Sequence, residues 1–221
     1  MPFKFVVSRS DVTVEAAYRQ PAFGMFGDAV GLFPRLLSRL SSHGLKLSDM
    51  KMERGSGSLG EVHLFFYLLD YLLTVRIRLD RVEIYCSILT EENKKRVVTA
   101  AVDTFDCLRQ TIGGEYRAYA MSMNIHGLLE NQSAKAFLRR LVTAPPADVS
   151  IIGNAVAYYF SPVDDRSASS ITFDVSATAA DGLYARPQAT WDATRLPLEQ
   201  WAERAEEFVR RTLGSFGIEV P

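Results

Sequence analysis

Apolar and polar positions alternate through Val12, Val14, Ala16 and Tyr18, the period of a strand with one buried face. After the turn-rich stretch Gln20 to Asp28, Val30, Phe33, Leu37 and Leu40 recur at helical spacing, and Gly44 supplies a stop. Pro34 lacks the amide that a helix interior uses, so this helix is expected to begin near Phe33 or to kink there. The pattern then turns to β over Lys46 to Glu53, Glu61 to Leu69 and Tyr71 to Leu89. In the last run Leu73, Val75, Ile77 and Leu79 are odd-numbered, whereas Val82, Ile84, Cys86 and Ile88 are even. A side-chain period of two changes parity only at a turn or bulge, which places one at Asp80-Arg81.

Thr90 ahead of Glu91 and Glu92 is a helix start, because the hydroxyl can accept from an orphan amide and the acids complement the positive dipole end. Val98, Val102, Phe105, Leu108 and Ile112 form its expected buried stripe, ended by Gly113-Gly114. A strand over Glu115 to Ile125 leads to a short helix carrying Phe137, Leu138 and Leu141, stopped at Pro145-Pro146. Strands follow at Val149 to Phe160 and Ser170 to Thr178. Ala180-Asp181-Gly182 then has the chemistry of a tight hairpin returning through Leu183 to Trp191. Pro197 opens a final helix with Trp201, Ala205, Phe208, Val209 and Leu213 inward, capped at Gly214 or Gly217.

The order strand, helix, strands, helix occurs twice. A shift of about 101 residues lays Ala17-Tyr18 on Ala118-Tyr119, Leu37-Ser38-Arg39-Leu40 on Leu138-Arg139-Arg140-Leu141, and Leu108 to Gly113 on Val209 to Gly214. The expected fold is therefore α+β, an internal duplication of a β-α-β-β-β-α unit giving two mainly antiparallel sheets, each with two helices, in a pseudo-twofold arrangement. The halves would be 1–113 and 114–221, fused into one globular unit. Helix-grip and ferredoxin-like halves both fit.

Composition narrows the functional classes. With 221 residues, 48% of them hydrophobic, the chain can bury some 70% of its surface without metals or disulfides. A net charge of -1 offers no excess basic field, so nucleic acid is not expected as a partner. The longest apolar run, Val62 to Val75, is broken by His63 and Asp70 and falls short of the roughly 20 residues a spanning helix needs. No membrane partner is expected either. The first residues lack a signal-peptide core before Arg9 and Asp11. Cys86 and Cys107, without CxxC spacing, read as buried free thiols of a cytoplasmic protein.

Motifs with chemistry are few. Gly55-Ser56-Gly57-Ser58-Leu59-Gly60 fits GxGxxG, but a β-rich segment follows where a dinucleotide site needs a helix. A kinase loop needs a strand lysine, yet after Gly60 only Lys94, Lys95 and Lys135 remain, all in helical segments. The motif reads as a hairpin tip. His43, His63 and His126 are dispersed. Were His126 a base, Asp103, Asp106 or Glu130 would be the acids near it in sequence. Asp164-Asp165-Arg166 reads as a solvated loop, and the Arg139-Arg140 and Arg210-Arg211 pairs as solvent faces of amphipathic helices.

No catalytic, cofactor-binding or metal-binding residue is assigned, and no cofactor is expected. The sequence points to a non-catalytic protein-interaction module: an adaptor, a chaperone-like factor or an immunity-type inhibitor whose partner is another protein. The alternative is a small-molecule binding protein or cofactor-independent enzyme with a cleft between the halves, lined by Tyr119, Tyr158, Tyr159, Tyr184 and Trp191. Oligomeric state is left open.

Overall fold

One long strand, β1 (Phe3–Tyr18), organises the chain. The computed structural model describes residues 3–24, 29–53, 62–112, 114–142, 155–163 and 165–219. β1 is followed by α1 (Ala29–Leu40), β2 (Lys51–Glu53), β3 (His63–Leu68), β4 (Leu73–Ile77), β5 (Arg81–Cys86) and α2 (Glu91–Ile112). Then come β6 (Tyr116–Leu129), α3 (Ala134–Leu141), β7 (Val156–Phe160), β8 (Arg166–Val175), β9 (Leu183–Asp192), α4 (Leu198–Ser215) and β10 (Ile218–Glu219). Mixed helices and a large antiparallel sheet make the protein α+β.

The expected two sheets are one. Its order is β2-β3-β4-β5-β1-β6-β9-β8-β7, with β10 pairing in parallel at Phe3 and Lys4 of β1. The seam between the earlier and later strands is a hydrogen-bonded ladder: β1 and β6 run antiparallel from Phe5↔Leu129 to Tyr18↔Tyr116. Read outward from this pair, β5, β4 and β3 lie on one side and β9, β8 and β7 on the other. Each flank adds hairpin-linked strands in antiparallel register, as their short connections dictate.

The four α-helices among the described residues pack on the same face. Val12, Val14, Ala16 and Tyr18 of β1 point into a core shared with Leu32 and Leu36 of α1, Phe105 and Leu108 of α2, and Trp201 and Phe208 of α4. A second cluster joins Phe5, Ile125, Phe173 and Leu183 to Phe137 and Leu138 of α3 and Leu213 of α4. Among the described residues no helix is long and apolar enough to cross a membrane.

The parity break is real. Leu73, Val75 and Ile77 are buried, as are Val82, Ile84 and Cys86, and Arg78 N–H bonds the Arg81 carbonyl across the turn between them. Elsewhere local details differ from the sequence pattern. α1 starts before Phe33 and carries exposed Pro34 inside it, giving up the amide bond to residue 30. Leu47–Asp49 form a 3₁₀ turn, so only Lys51–Glu53 of the first β segment is strand. In α2 the buried positions are Val97, Ala100, Ala101, Thr104, Phe105, Cys107 and Leu108, with Val98 and Val102 partly exposed. Small alanines let that face approach the sheet.

The Asp-Gly turn is not a two-residue hairpin. β8 and β9 are joined by residues 176–182, and Ser176 Oγ accepts the amides of Thr178 and Ala179 at 3.1 and 3.0 Å. Asp181 adopts φ 56, while Gly182 is needed for close approach: a Cβ there would meet the Gly127 carbonyl oxygen at 2.9 Å. The GxGxxG segment, Gly113, Pro145-Pro146, Asp164 and residues 149–154 of the expected strand lie outside the described residues.

Candidate functional site

With the helices on one side, the alternate residues of each strand form a face that no described element covers. A row of cross-strand partners traverses eight strands: Tyr67, Thr74, Tyr85, Thr13, Ser122, Gln188, Ser170 and Tyr159. Every one is a tyrosine, a hydroxyl residue or an amide. Tyr159, on the β7 edge, is 85% exposed. Beside the row, Phe65 and Tyr67 meet edge to face at 5.9 Å, Tyr71 rests on Tyr67 at 4.9 Å, and Lys51 lies 5.7 Å over Phe65. Tyr71 follows Leu69 and Asp70 in a run of three left-handed non-glycine residues, at φ 69, 53 and 53 respectively. Such residues cost about 1–2 kcal/mol each, so presenting Tyr71 is energetically expensive.

The centre of this face is a polar network. Asp11 and Asn124 are register partners across the β1–β6 seam, and Asn124 Nδ2 donates to Asp11 Oδ1 at 2.7 Å. Tyr184 donates its hydroxyl proton to Asn124 Oδ1, also at 2.7 Å. The His126 ring lies 5.0 Å from that of Tyr184, and His126 Nδ1 is 2.9 Å from Ser176 Oγ. Two amides donate to Ser176 Oγ, and Thr178 Oγ1 lies 3.2 Å from it, so Ser176 joins His126 to the loop that links β8 and β9. Burial lowers the His126 pKa, against the pull of Asp11 and with a smaller push from Arg9. Burial likewise raises the Tyr184 pKa, keeping it a donor. The arrangement orients donors and acceptors. Ser176 organises the loop that links β8 and β9.

The acids named from sequence go elsewhere. Asp103 lies 2.6 Å from His43 Nε2, Asp106 binds Arg109 and Gln110, and Glu130 pairs with Lys4. The acid near His126 is Asp11, distant in sequence and delivered by strand register. His63 contacts Glu53 at 3.0 Å. Asp165 sits 4.0 Å from Arg204, and the neighbouring Arg166 guanidinium stacks over Phe208. Among the described residues no three metal-ligating side chains converge. Arg139, Arg140, Arg210 and Arg211 are exposed on α3 and α4, as expected. Cys86 and Cys107 are free and buried, and burial raises both thiol pKa values.

The five aromatic residues expected to line a central cleft do not share one. Tyr119 and Trp191 are core residues against Trp201, Tyr158 packs on Phe216, Tyr159 is exposed, and Tyr184 lies on the uncovered face.

A pocket of about 600 Å³ lies instead at the end of β1, lined by Tyr18, Arg19, Ala22, Leu32, Arg35 and Thr111 among others. The chain after β1 is tied down there: Arg19 N–H bonds the Glu115 carbonyl and Ala22 N–H that of Leu79. Tyr18 is only 6% exposed, stacks on Tyr116 at 5.6 Å, and its hydroxyl has no hydrogen-bond partner among the described residues. A buried hydroxyl left so costs roughly 1–3 kcal/mol. Sequence reading passed over this site because Arg19 and Arg35 are far apart in the chain and carry no motif. The one available signal was Tyr18 falling in register with the buried positions of β1.

No protein family matches this chain, and no curated protein does.

Proposed function

We propose that the protein is a non-catalytic protein-interaction module whose contact surface is the uncovered face of the sheet. The observation that carries this is the tyrosine, serine and threonine row crossing eight strands. Tyrosine supplies large amphipathic contact area at low entropic cost, and small hydroxyl residues adapt their hydrogen bonds to a partner. On this face Arg76 pairs with Glu83 and Arg81 with Glu15, and Arg186 donates to the Ser122 hydroxyl, so these cations keep a partner when the face is covered. The alternative, a small-molecule binding protein or cofactor-independent enzyme with a cleft between the halves, has less support, because β1 and β6 at the seam are joined by a hydrogen-bonded ladder.

The test compares three immobilised proteins: wild type, Tyr67→Ala with Tyr85→Ala, and a helix-side control, Arg210→Ala with Arg211→Ala. At least one protein should be captured from a cell extract by wild type and control and lost by the sheet-face variant. If captured sets are the same for all three, the reading fails.

We also infer that the chain arose by copying a β-α-β-β-β-α unit, 1–113 and 114–221. The strand order on either side of β1–β6 supports it. So do buried Val97, Ala100, Thr104 and Cys107 of α2, which fall on buried Leu198, Trp201, Ala205 and Phe208 of α4 at the same offset of about 101 residues. The two unpaired buried thiols support a reducing compartment such as the cytoplasm.

A further inference from the structure

The sheet ends on two edge strands, β2 and β7, and the two are built differently. β2 is three residues long and carries Lys51 and Glu53, the short, charged form that keeps an edge from pairing. β7 runs Val156-Ala157-Tyr158-Tyr159-Phe160, without a charge or a proline. β8 takes one side of it, and among the described residues no strand or other backbone group bonds the other side. Five residues of unguarded backbone are a template for one more strand.

The side chains decide which strand fits. Val156, Tyr158 and Phe160 lie toward the helices, half-buried against the second core cluster. Tyr158 packs on Phe216 and donates its hydroxyl proton to the Leu141 carbonyl at 3.2 Å. Ala157 and Tyr159 are exposed on the uncovered face. The cluster therefore ends on three apolar side chains with an open flank, which a strand of the same alternation would close. A second β7 is such a strand. Two antiparallel copies keep like faces together only when the register is centred on a residue, and centring on Tyr158 alone engages all five. Val156 then meets Phe160 of the second copy, Ala157 meets its Tyr159, and Tyr158 meets its Tyr158. Each small side chain faces a large one, and no charge opposes another.

We propose that the protein forms a homodimer by antiparallel pairing of β7 with β7 of a second copy, continuing the sheet across a twofold axis at Tyr158. Each copy uses its unguarded edge in the contact and β2 is guarded, so assembly closes at two. This surface is the sheet's edge and is separate from the uncovered face proposed above for other proteins. A five-residue ladder falls at the low end of interface sizes, under about 1,200 Å², where dissociation constants of about 1–100 μM are expected.

Sedimentation equilibrium of the full chain from about 2 to 500 μM should show the mass rising from one chain toward two. Ala157→Lys with Tyr159→Lys changes two exposed edge positions and should hold the chain as a monomer with the circular dichroism of the wild type. Ala157→Glu with Tyr159→Glu should do the same, and an equimolar mixture of the two variants should dimerise, because each lysine then faces a glutamate. Tyr67→Ala with Tyr85→Ala, on the uncovered face, should dimerise as the wild type does. A wild type that stays monomeric throughout that range, a lysine variant that still dimerises, or a mixture that does not would each overturn the proposal. So would loss of the dimer in the Tyr67, Tyr85 variant, which would move the contact to the face. Capture of other proteins from an extract is read separately, so the two readings fail independently.

Discussion

Asn124 donates to Asp11 across the seam at 2.7 Å while accepting from Tyr184 at the same distance, so one amide satisfies a carboxylate and a phenol on three adjacent strands. Asp11 is 7% exposed, which makes that amide its substitute for water. Asn124→Ala strands both partners and should cost about 2–6 kcal/mol, summing roughly 1–3 for each group left unpaired. Urea denaturation measures it. In a cycle with Asp11→Ala, the second substitution should cost less in the Asn124→Ala background than alone; strict additivity would mean that the hydrogen bond is not formed.

His126 makes stability depend on pH. Its pKa is lower in the fold than in the unfolded chain, where histidine titrates near 6.5. On acidification the unfolded state therefore takes up the proton first, and stability present above about pH 6.5 is lost as pH falls through the folded value. Urea midpoints at pH 7.5 and 5 should fall further for wild type than for His126→Gln, which keeps a hydrogen-bonding group for Ser176 but does not titrate. Equal falls would remove His126 as the cause.

Both thiols are shielded and hard to ionise, so neither should behave as a reactive cysteine. A thiol-disulfide reagent at pH 8 should label the native protein slowly and, after unfolding in guanidinium, label Cys86 and Cys107 rapidly. Rapid labelling of either residue in the native state would contradict its burial.

Two glycines should respond in opposite directions. At Gly182 a Cβ would lie 2.7 Å from the Ala179 Cβ and 2.9 Å from the Gly127 carbonyl oxygen, so Gly182→Ala should lower the melting temperature by several degrees. Gly214, inside α4 with nothing within 4 Å of an added Cβ, should gain about 0.5–1 kcal/mol as alanine. Calorimetry on the two variants checks both signs.

The sequence pattern was most legible where a single periodicity decides burial. Val12 to Tyr18, the parity change at Asp80-Arg81 and the Trp201-Ala205-Phe208 stripe all lie where the pattern puts them. Thr90 caps α2 as read, through reciprocal bonds with Asn93. Errors came where small or polar residues fill buried positions: Ala100, Ala101 and Thr104 face the core although an apolar count favours Val98 and Val102. Strand pairing was not legible at all. Ala17 and Ala118, matched by the offset of about 101, are cross-strand partners, which twofold mates can be only on the axis. β1 ends one residue later, whereas β6 continues to Leu129, so the axis is elsewhere and that match is local. The polar network and the pocket escaped for the same reason, since Asp11 reaches Asn124, and Tyr18 and Arg35 come to line one pocket, only through tertiary placement.

The central position of β1 also governs how the chain reaches its native state. Its ladder partners are β5, some 70 residues downstream, β6, about 100 or more downstream, and, at its first residues, β10 near the other end of the described chain. During synthesis the first strand therefore waits, with both edges open, until most of the polypeptide has been made. Long-range pairing of this kind slows folding and leaves a sticky ribbon exposed meanwhile, so refolding yield should fall steeply with protein concentration and recover with a holdase present.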